Sequence, residues 1–212
     1  MEPTGAVRGL RCPVCETIHP LDVDQGCPDC GAACTVAYDN AVIDAADRFG
    51  EAPSGDNDTA SDQRHRPGQW RYDALLPFAA VDAVTAGEGD TPLVAADQLA
   101  DELAVDSVYI KDESRNPTGT VYDRGMSLAA TAIAARDEPT DVEPAALATT
   151  GNSGQSAAAY LGRLGVRSYA FVPSRSAFSN KAMINVHGGE MQVVGGRYPD
   201  AVTAVDEQLA GD

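Results

Sequence analysis

From residue 70 onward the apolar positions fall into short runs whose period switches between two and about four. DSVYIK (106–111), AALATT (145–150), RSYAFV (167–172) and MQVV (191–194) have the length and β-branched or aromatic content of strands. Between them, helical spacing runs over the Ala-rich segment 123–136, over GNSGQSAAAYLGRLG to Gly165, over 180–187 and over about 199–210. Such alternation predicts an α/β fold: an open, mostly parallel sheet with flanking helices and right-handed crossovers. Ahead of it, EAPSGDNDTASDQRHRPG (51–68) contains no large apolar residue, so it cannot bury enough surface to offset the entropy of ordering. Three parts are expected: a small module at 1–45, an acidic flexible linker at 46–69, and the α/β domain at 70–212. His65, between two arginines in the linker, is expected to be solvated.

The small module is marked by its cysteines. RCPVC holds Cys12 and Cys15, and GCPDCG holds Cys27 and Cys30. Each C-x-x-C pair can present two thiolates to one metal from a single tight turn, and a short hairpin such as ETIHPLDVDQ can bridge the pairs. Four thiolates suit a tetrahedral zinc, giving a zinc ribbon whose metal folds the module and catalyses nothing. His19, inside the bridging loop, could compete as a ligand, but four cysteines already complete the set. Cys34 is left over and is expected to pack as a small hydrophobe.

Charge narrows the range of partners. The chain carries 32 Asp plus Glu against 15 Lys plus Arg, a net charge of -17, with only two lysines, Lys111 and Lys181. Nucleic acid is excluded as a partner, since phosphate binding depends on Lys and Arg. A hydrated, self-repelling surface of this kind fits a salt-rich, halophilic cytoplasm. No run of about 18 apolar residues is present to span a membrane, and MEPTGAVRGL lacks the apolar stretch of a signal peptide. A cytoplasmic protein with no membrane partner is expected.

Three loops could carry chemistry, because ligands of open α/β sheets gather at the carboxyl ends of the strands. AGEGDTPLV (86–94) reads as a turn shaped by Gly87, Gly89 and Pro92. In KDESRNPTGTVYDRG, Pro117 and Gly119 force a reversal and Asp123 is placed to cap the next helix, so residues 121 and 122 are delivered to a helix N-terminus. In TTGNSGQS (149–156), small residues and the following helix dipole suit a carboxylate or phosphate.

Taken in order, the paired cysteines, GEGDTPLV, NPTGTVYDRGMSLA and TTGNSGQSAAAY resemble threonine synthase and its relatives in the fold-type II pyridoxal-phosphate-dependent family. The resemblance runs from about Trp70 to the end and extends to the N-terminal ribbon. It implies a pyridoxal phosphate cofactor held by a lysine as a Schiff base, and a lyase reaction in which O-phosphohomoserine loses phosphate before water adds. It also implies that Asn152 lies beside the cofactor ring hydroxyl and that Thr150, Gly151 and Ser153 meet the substrate carboxylate.

The family pattern N-P-T-G-S-F-K-D-R-G is broken here, with Thr120, Val121 and Tyr122 in place of Ser, Phe and Lys. Lys111 and Lys181 look similar to other lysines of the family, not the missing one. Family members also continue beyond residue 212 with a glycine-rich phosphate loop that Gly188, Gly189, Gly195 and Gly196 do not reproduce. His187 reads as a helix C-terminal cap. The resulting expectation is a catalytically degenerate homologue, truncated after its smaller domain, that binds a small amino acid or phosphate and pairs as a homodimer or with an active paralogue. Two alternatives remain: a threonine synthase fragment completed by another chain, and a zinc-ribbon interaction protein.

Overall fold

A computed structural model describes residues 3–21, 26–42, 68–136 and 144–210. Most of the expected linker, His65 and part of the loop between the cysteine pairs (22–25) lie outside the described residues. The chain divides into two compact units. One comprises described residues 3–21, 26–42, 70–83 and 135–136; the other comprises 68–69, 84–134 and 144–210.

The first unit is built on an antiparallel sheet in the order β2-β1-β3, with β1 at Val7–Arg11, β2 at Ile18–His19 and β3 at Thr35–Tyr38. Leu10 lies opposite His19 on one side and Val36 on the other. Its N-terminal edge is tied to a later segment: Thr4 donates from its amide to Pro77 O at 2.9 Å and from its hydroxyl to Leu76 O at 2.8 Å.

In the second unit, three parallel strands lie in the order β6-β7-β8, at Ala145–Ala148, Ser168–Pro173 and Glu190–Val194. The crossovers are α3, Asn152–Gly162, and α4, Phe178–Val186. Helix α2, Tyr122–Ala134, precedes β6, and α5, Tyr198–Ala210, follows β8. These elements match the sequence expectation to within a few residues at each end, the usual scatter of helix and strand termini.

Strand β7 shows why the pattern is readable. Successive side chains of SYAFVP point to opposite faces. Ala170 and Val172 pack with Ile184 of α4 on one face, while Phe171 packs with Ala201 and Val205 of α5 on the other. On the α4 side, Ala157 and Leu161 of α3 close over Leu147 of β6 and Met126 of α2. A strand covered on both faces must be apolar on both, which gives β7 its nearly continuous apolar run.

The expected strand at 106–111 is corrected in two ways. Only Tyr109–Lys111 is extended (β5), and it pairs antiparallel with β4, Leu93–Ala95, outside the parallel sheet. Between them lies α1, Asp97–Leu103, which sequence reading did not anticipate. All six strand residues are exposed, so the burial that gives a strand its alternating signature does not operate here. No helix among the described residues is long and apolar enough to cross a membrane.

The packing of β7 against α4 generates a prediction. Ile184 is fully buried against Ala170 and Val172, so Ile184→Ala leaves a cavity and is expected to destabilise the protein by about 2 to 5 kcal/mol. The shift of the denaturation midpoint by circular dichroism checks this value.

Candidate functional site

The three loops singled out from sequence converge through buried polar contacts. At their centre is Asp123, the second residue of α2 and fully buried. Its carboxylate accepts the Thr118 amide at 2.7 Å, the Thr118 hydroxyl, and the Ser156 hydroxyl of α3 at 2.6 Å. Position 123 reads as a helix cap from sequence, but the capping bond comes from Thr120, whose hydroxyl oxygen accepts the Tyr122 amide at 3.0 Å. Asp123 instead clamps the NPTG turn onto α3. Gln155 reinforces the clamp by donating from Nε2 to Thr118 O at 3.2 Å.

The turn at 86–94 is held as firmly. Glu88 is fully buried and accepts from the Tyr160 hydroxyl of α3 at 2.7 Å, the Ala86 amide at 3.0 Å and the Thr85 hydroxyl. Burial pushes its carboxyl upward, but hydrogen bonds from Ser127, Tyr160 and Ala86 outweigh that cost and hold it below the usual carboxylate range. The Tyr160 phenol is pushed far up, first by burial and then by Glu88.

A second carboxylate joins this turn to the next loop. Glu113 takes a two-pronged bond from Arg124, at 2.8 Å from Nε and 2.9 Å from Nη2, and also accepts from Thr91 and Asn116. The Arg124 guanidinium is the main reason its carboxyl falls to about 2. Asn116 in turn accepts the Gly89 amide at 2.9 Å. The bonds from Arg124 and Thr91 to Glu113 and from Gly89 to Asn116 were not legible locally, because those partners are 11 to 27 residues apart.

Tyr122 is the first residue of α2, and its side chain is half exposed. The two lysines are engaged with backbone: Lys111 Nζ donates to Thr91 O, and Lys181 Nζ donates to Ser174 O at 2.9 Å.

In the third loop, Thr149 Oγ1 accepts the amides of Gly151 at 2.9 Å and Gly154 at 3.1 Å, and lies 2.8 Å from Ser153 Oγ. Among the described residues no acceptor meets the amides of Asn152 and Ser153, the first two residues of α3. They are left at the positive end of the helix beside exposed Thr150 and Asn152. Gly151, at φ 142°, is packed so tightly against Asn180 of α4 that an added Cβ would overlap its side chain. His187 follows α4 as its C-terminal cap.

In the first unit, the sulfurs of Cys12, Cys15, Cys27 and Cys30 all lie within 4.8 Å of one another. Cys12 Sγ and Cys30 Sγ are 3.6 Å apart, close to the roughly 3.8 Å edge of a tetrahedron with zinc–sulfur bonds of about 2.3 Å. The amides of Val14 and Cys15 donate to Cys12 Sγ at 3.4 and 3.3 Å. The Cys15 amide is the main cause that lowers the Cys12 thiol to about 6. Cys34 is half-buried with its sulfur 3.7 Å from Ala32 O, outside the four-sulfur group.

Residues 84–212 match the family model for pyridoxal-phosphate dependent enzymes. The chain belongs to this family. Among its curated relatives, threonine synthase of Methanocaldococcus jannaschii is 31% identical over 205 residues, covering 94% of this chain and 46% of that protein. Threonine synthase of Methanosarcina acetivorans is 29% identical over 198 residues, covering 92% and 45%. The chain thus spans about half the length of the curated relatives it matches. Among solved structures, it is similar to Escherichia coli diaminopropionate ammonia lyase in complex with an aminoacrylate-PLP azomethine intermediate. That likeness has a TM-score of 0.54 and 27% identity, over 60% of this chain and 36% of that one. The apo form of the same lyase gives a TM-score of 0.52 and 25% identity, over 60% and 39%. This is a threonine synthase-like member of the family, and membership implies pyridoxal phosphate as the cofactor.

The Arg124–Glu113 pair makes stability depend on acid. A carboxyl whose folded value lies at about 2, below its ordinary 4.5, contributes stability that is complete above about 4.5 and lost as pH falls toward 2. The stability gap between wild type and Glu113→Gln is therefore expected to be largest at neutral pH and to close across that window, as read by urea denaturation at a series of pH values.

Proposed function

We propose that this chain is a threonine synthase-like homologue that receives an anionic ligand at the start of α3 without holding pyridoxal phosphate through a lysine. The observation that carries this reading is Tyr122 at the first turn of α2, the position the family motif gives to the Schiff-base lysine. A phenol cannot form an imine with an aldehyde, so the residue delivered there does not fit covalent attachment of the cofactor. The backbone bonds made by Lys111 and Lys181 support the same reading, since each ammonium is committed elsewhere.

What remains suited to a ligand is the loop from Thr150 to Ser153. The amides of Asn152 and Ser153 at the helix start favour a carboxylate or a phosphate, with Asn152 and Thr150 adding side-chain groups that reach solvent. The proposed ligand is therefore a small amino acid or a phosphate-bearing relative of one. In the first unit, the proposed role of Cys12, Cys15, Cys27 and Cys30 is to hold one structural zinc. Four thiolates at tetrahedral spacing fit that ion, and no open position is left for chemistry.

Two measurements on the full chain test this reading. After incubation with pyridoxal phosphate and borohydride, mass spectrometry is expected to find no stoichiometric lysine adduct. Titration with inorganic phosphate or an amino acid is expected to shift the amide resonances of Asn152 and Ser153. A stoichiometric adduct on Lys111 or Lys181 would refute the first half of the proposal, and unmoved amides at millimolar ligand would refute the second.

A further inference from the structure

His19 occupies a place in the ribbon that its role as a loop residue does not explain. It sits on β2 opposite Leu10, and its side chain is 14% exposed. Its Nε2 lies 3.3 Å from Cys27 Sγ, and Cys27 itself is 2% exposed. Its strand is held close to β1. Gly9, at φ 133°, allows β1 to approach the His19 carbonyl so closely that any Cβ at position 9 would overlap the carbonyl oxygen.

Cys12 Sγ receives two backbone amides. Among the described residues the nitrogen that meets Cys27 Sγ is the imidazole. His19 does not join the four-sulfur group: its close ligand-type neighbours are Cys27 and Asp29, and the Asp29 carboxylate stands 3.9 Å from the same Nε2. That distance exceeds a hydrogen bond, and the aspartate is largely solvated, so its effect is a screened charge.

We propose that His19 is a positioning residue for the metal site, donating a hydrogen bond from Nε2–H to the Cys27 thiolate and so holding that sulfur on the ion. The inference rests on the zinc reading above. Once four thiolates bind a dication, Cys27 Sγ has no proton to offer and can only accept. The imidazole tautomer with its proton on Nε2 satisfies the contact. Donation to a metal-bound thiolate drains charge from a site with two surplus negative charges, and it orients the sulfur. Groups that orient metal ligands in this way typically change metal affinity by 10- to 100-fold.

The test uses the full-length chain, with cobalt(II) as a spectroscopic probe and zinc affinity measured by chelator competition. Wild type, His19→Ala and His19→Gln are expected to bind one cobalt each with the same four-thiolate absorption. Zinc affinity is expected to fall roughly 10- to 100-fold in His19→Ala and to recover in part in His19→Gln, whose amide retains an N–H donor. Equal affinity in all three proteins would overturn the inference while leaving the zinc reading intact. A three-sulfur, one-nitrogen spectrum in wild type that His19→Ala abolishes would overturn it by making His19 a ligand. Uptake of a second cobalt dependent on His19 and Asp29 would overturn it by making these residues a site of their own. A wild-type chain that takes up no cobalt would defeat the zinc reading, and this inference with it.

Discussion

A carboxylate without a cation beside it is costly to bury, and Asp123 is tolerated at the heart of the second unit because hydroxyl and amide donors surround it. The arrangement couples three pieces of chain. Thr118 belongs to the NPTG turn, Asp123 to α2 and Ser156 to α3, so the direction in which residue 122 leaves the turn is set relative to the loop at 149–156. Losing any one donor would leave the charge underbonded, which makes the geometry close to all-or-none. The same logic recurs at Glu88, bound to Tyr160 of α3, and at Glu113, clasped by Arg124 of α2. Three buried or half-buried carboxylates thus fix three loops to two helices.

This scaffold separates the shape of the site from its reactivity. The convergence of the three loops is maintained by Thr118, Asp123, Ser156 and Glu88, none of which needs to touch a ligand. Reactivity depends on what the scaffold delivers, and position 122 delivers a phenol. A change there disturbs no buried bond of the clamp, because the Tyr122 side chain is half exposed and its amide is satisfied by Thr120. The protein can therefore retain the family fold while its chemistry at that position differs. In the first unit the proposed zinc would make Cys12, Cys15, Cys27 and Cys30 both its ligands and the link that folds the module.

How much of this was legible in the sequence follows from the range of each interaction. Strands β6 to β8 and helices α2 to α5 announce themselves because each buries its own periodic face, as Ala170 and Phe171 do on opposite sides of β7. Strand β4 and helix α1 did not, because Leu93–Ala95 is short and exposed and leaves no alternation to read. The cysteine pairs and Tyr122 were visible as motifs. The clamp was not: Asp123 and Ser156 are 33 residues apart and Glu88 and Tyr160 are 72 apart, and a local rule assigned Asp123 a capping role that Thr120 fills. The sequence offered His19 as a competing ligand between the cysteine pairs, but its contact with Cys27 from outside the four-sulfur group depends on the register of β2 against β1 and on Gly9.

On the proposed reading, the clamp of Thr118, Asp123 and Ser156 still presents position 122 to a ligand, and Tyr122 supplies no amine there. Restoring the amine tests it most directly: Tyr122→Lys, incubated with pyridoxal phosphate, reduced with borohydride and mapped by peptide mass spectrometry. The expected result is an adduct at position 122 of the variant and at no lysine of the wild type. A folded variant that traps no cofactor at that position, or labelling of Lys111 or Lys181 to the same extent in both proteins, would contradict it.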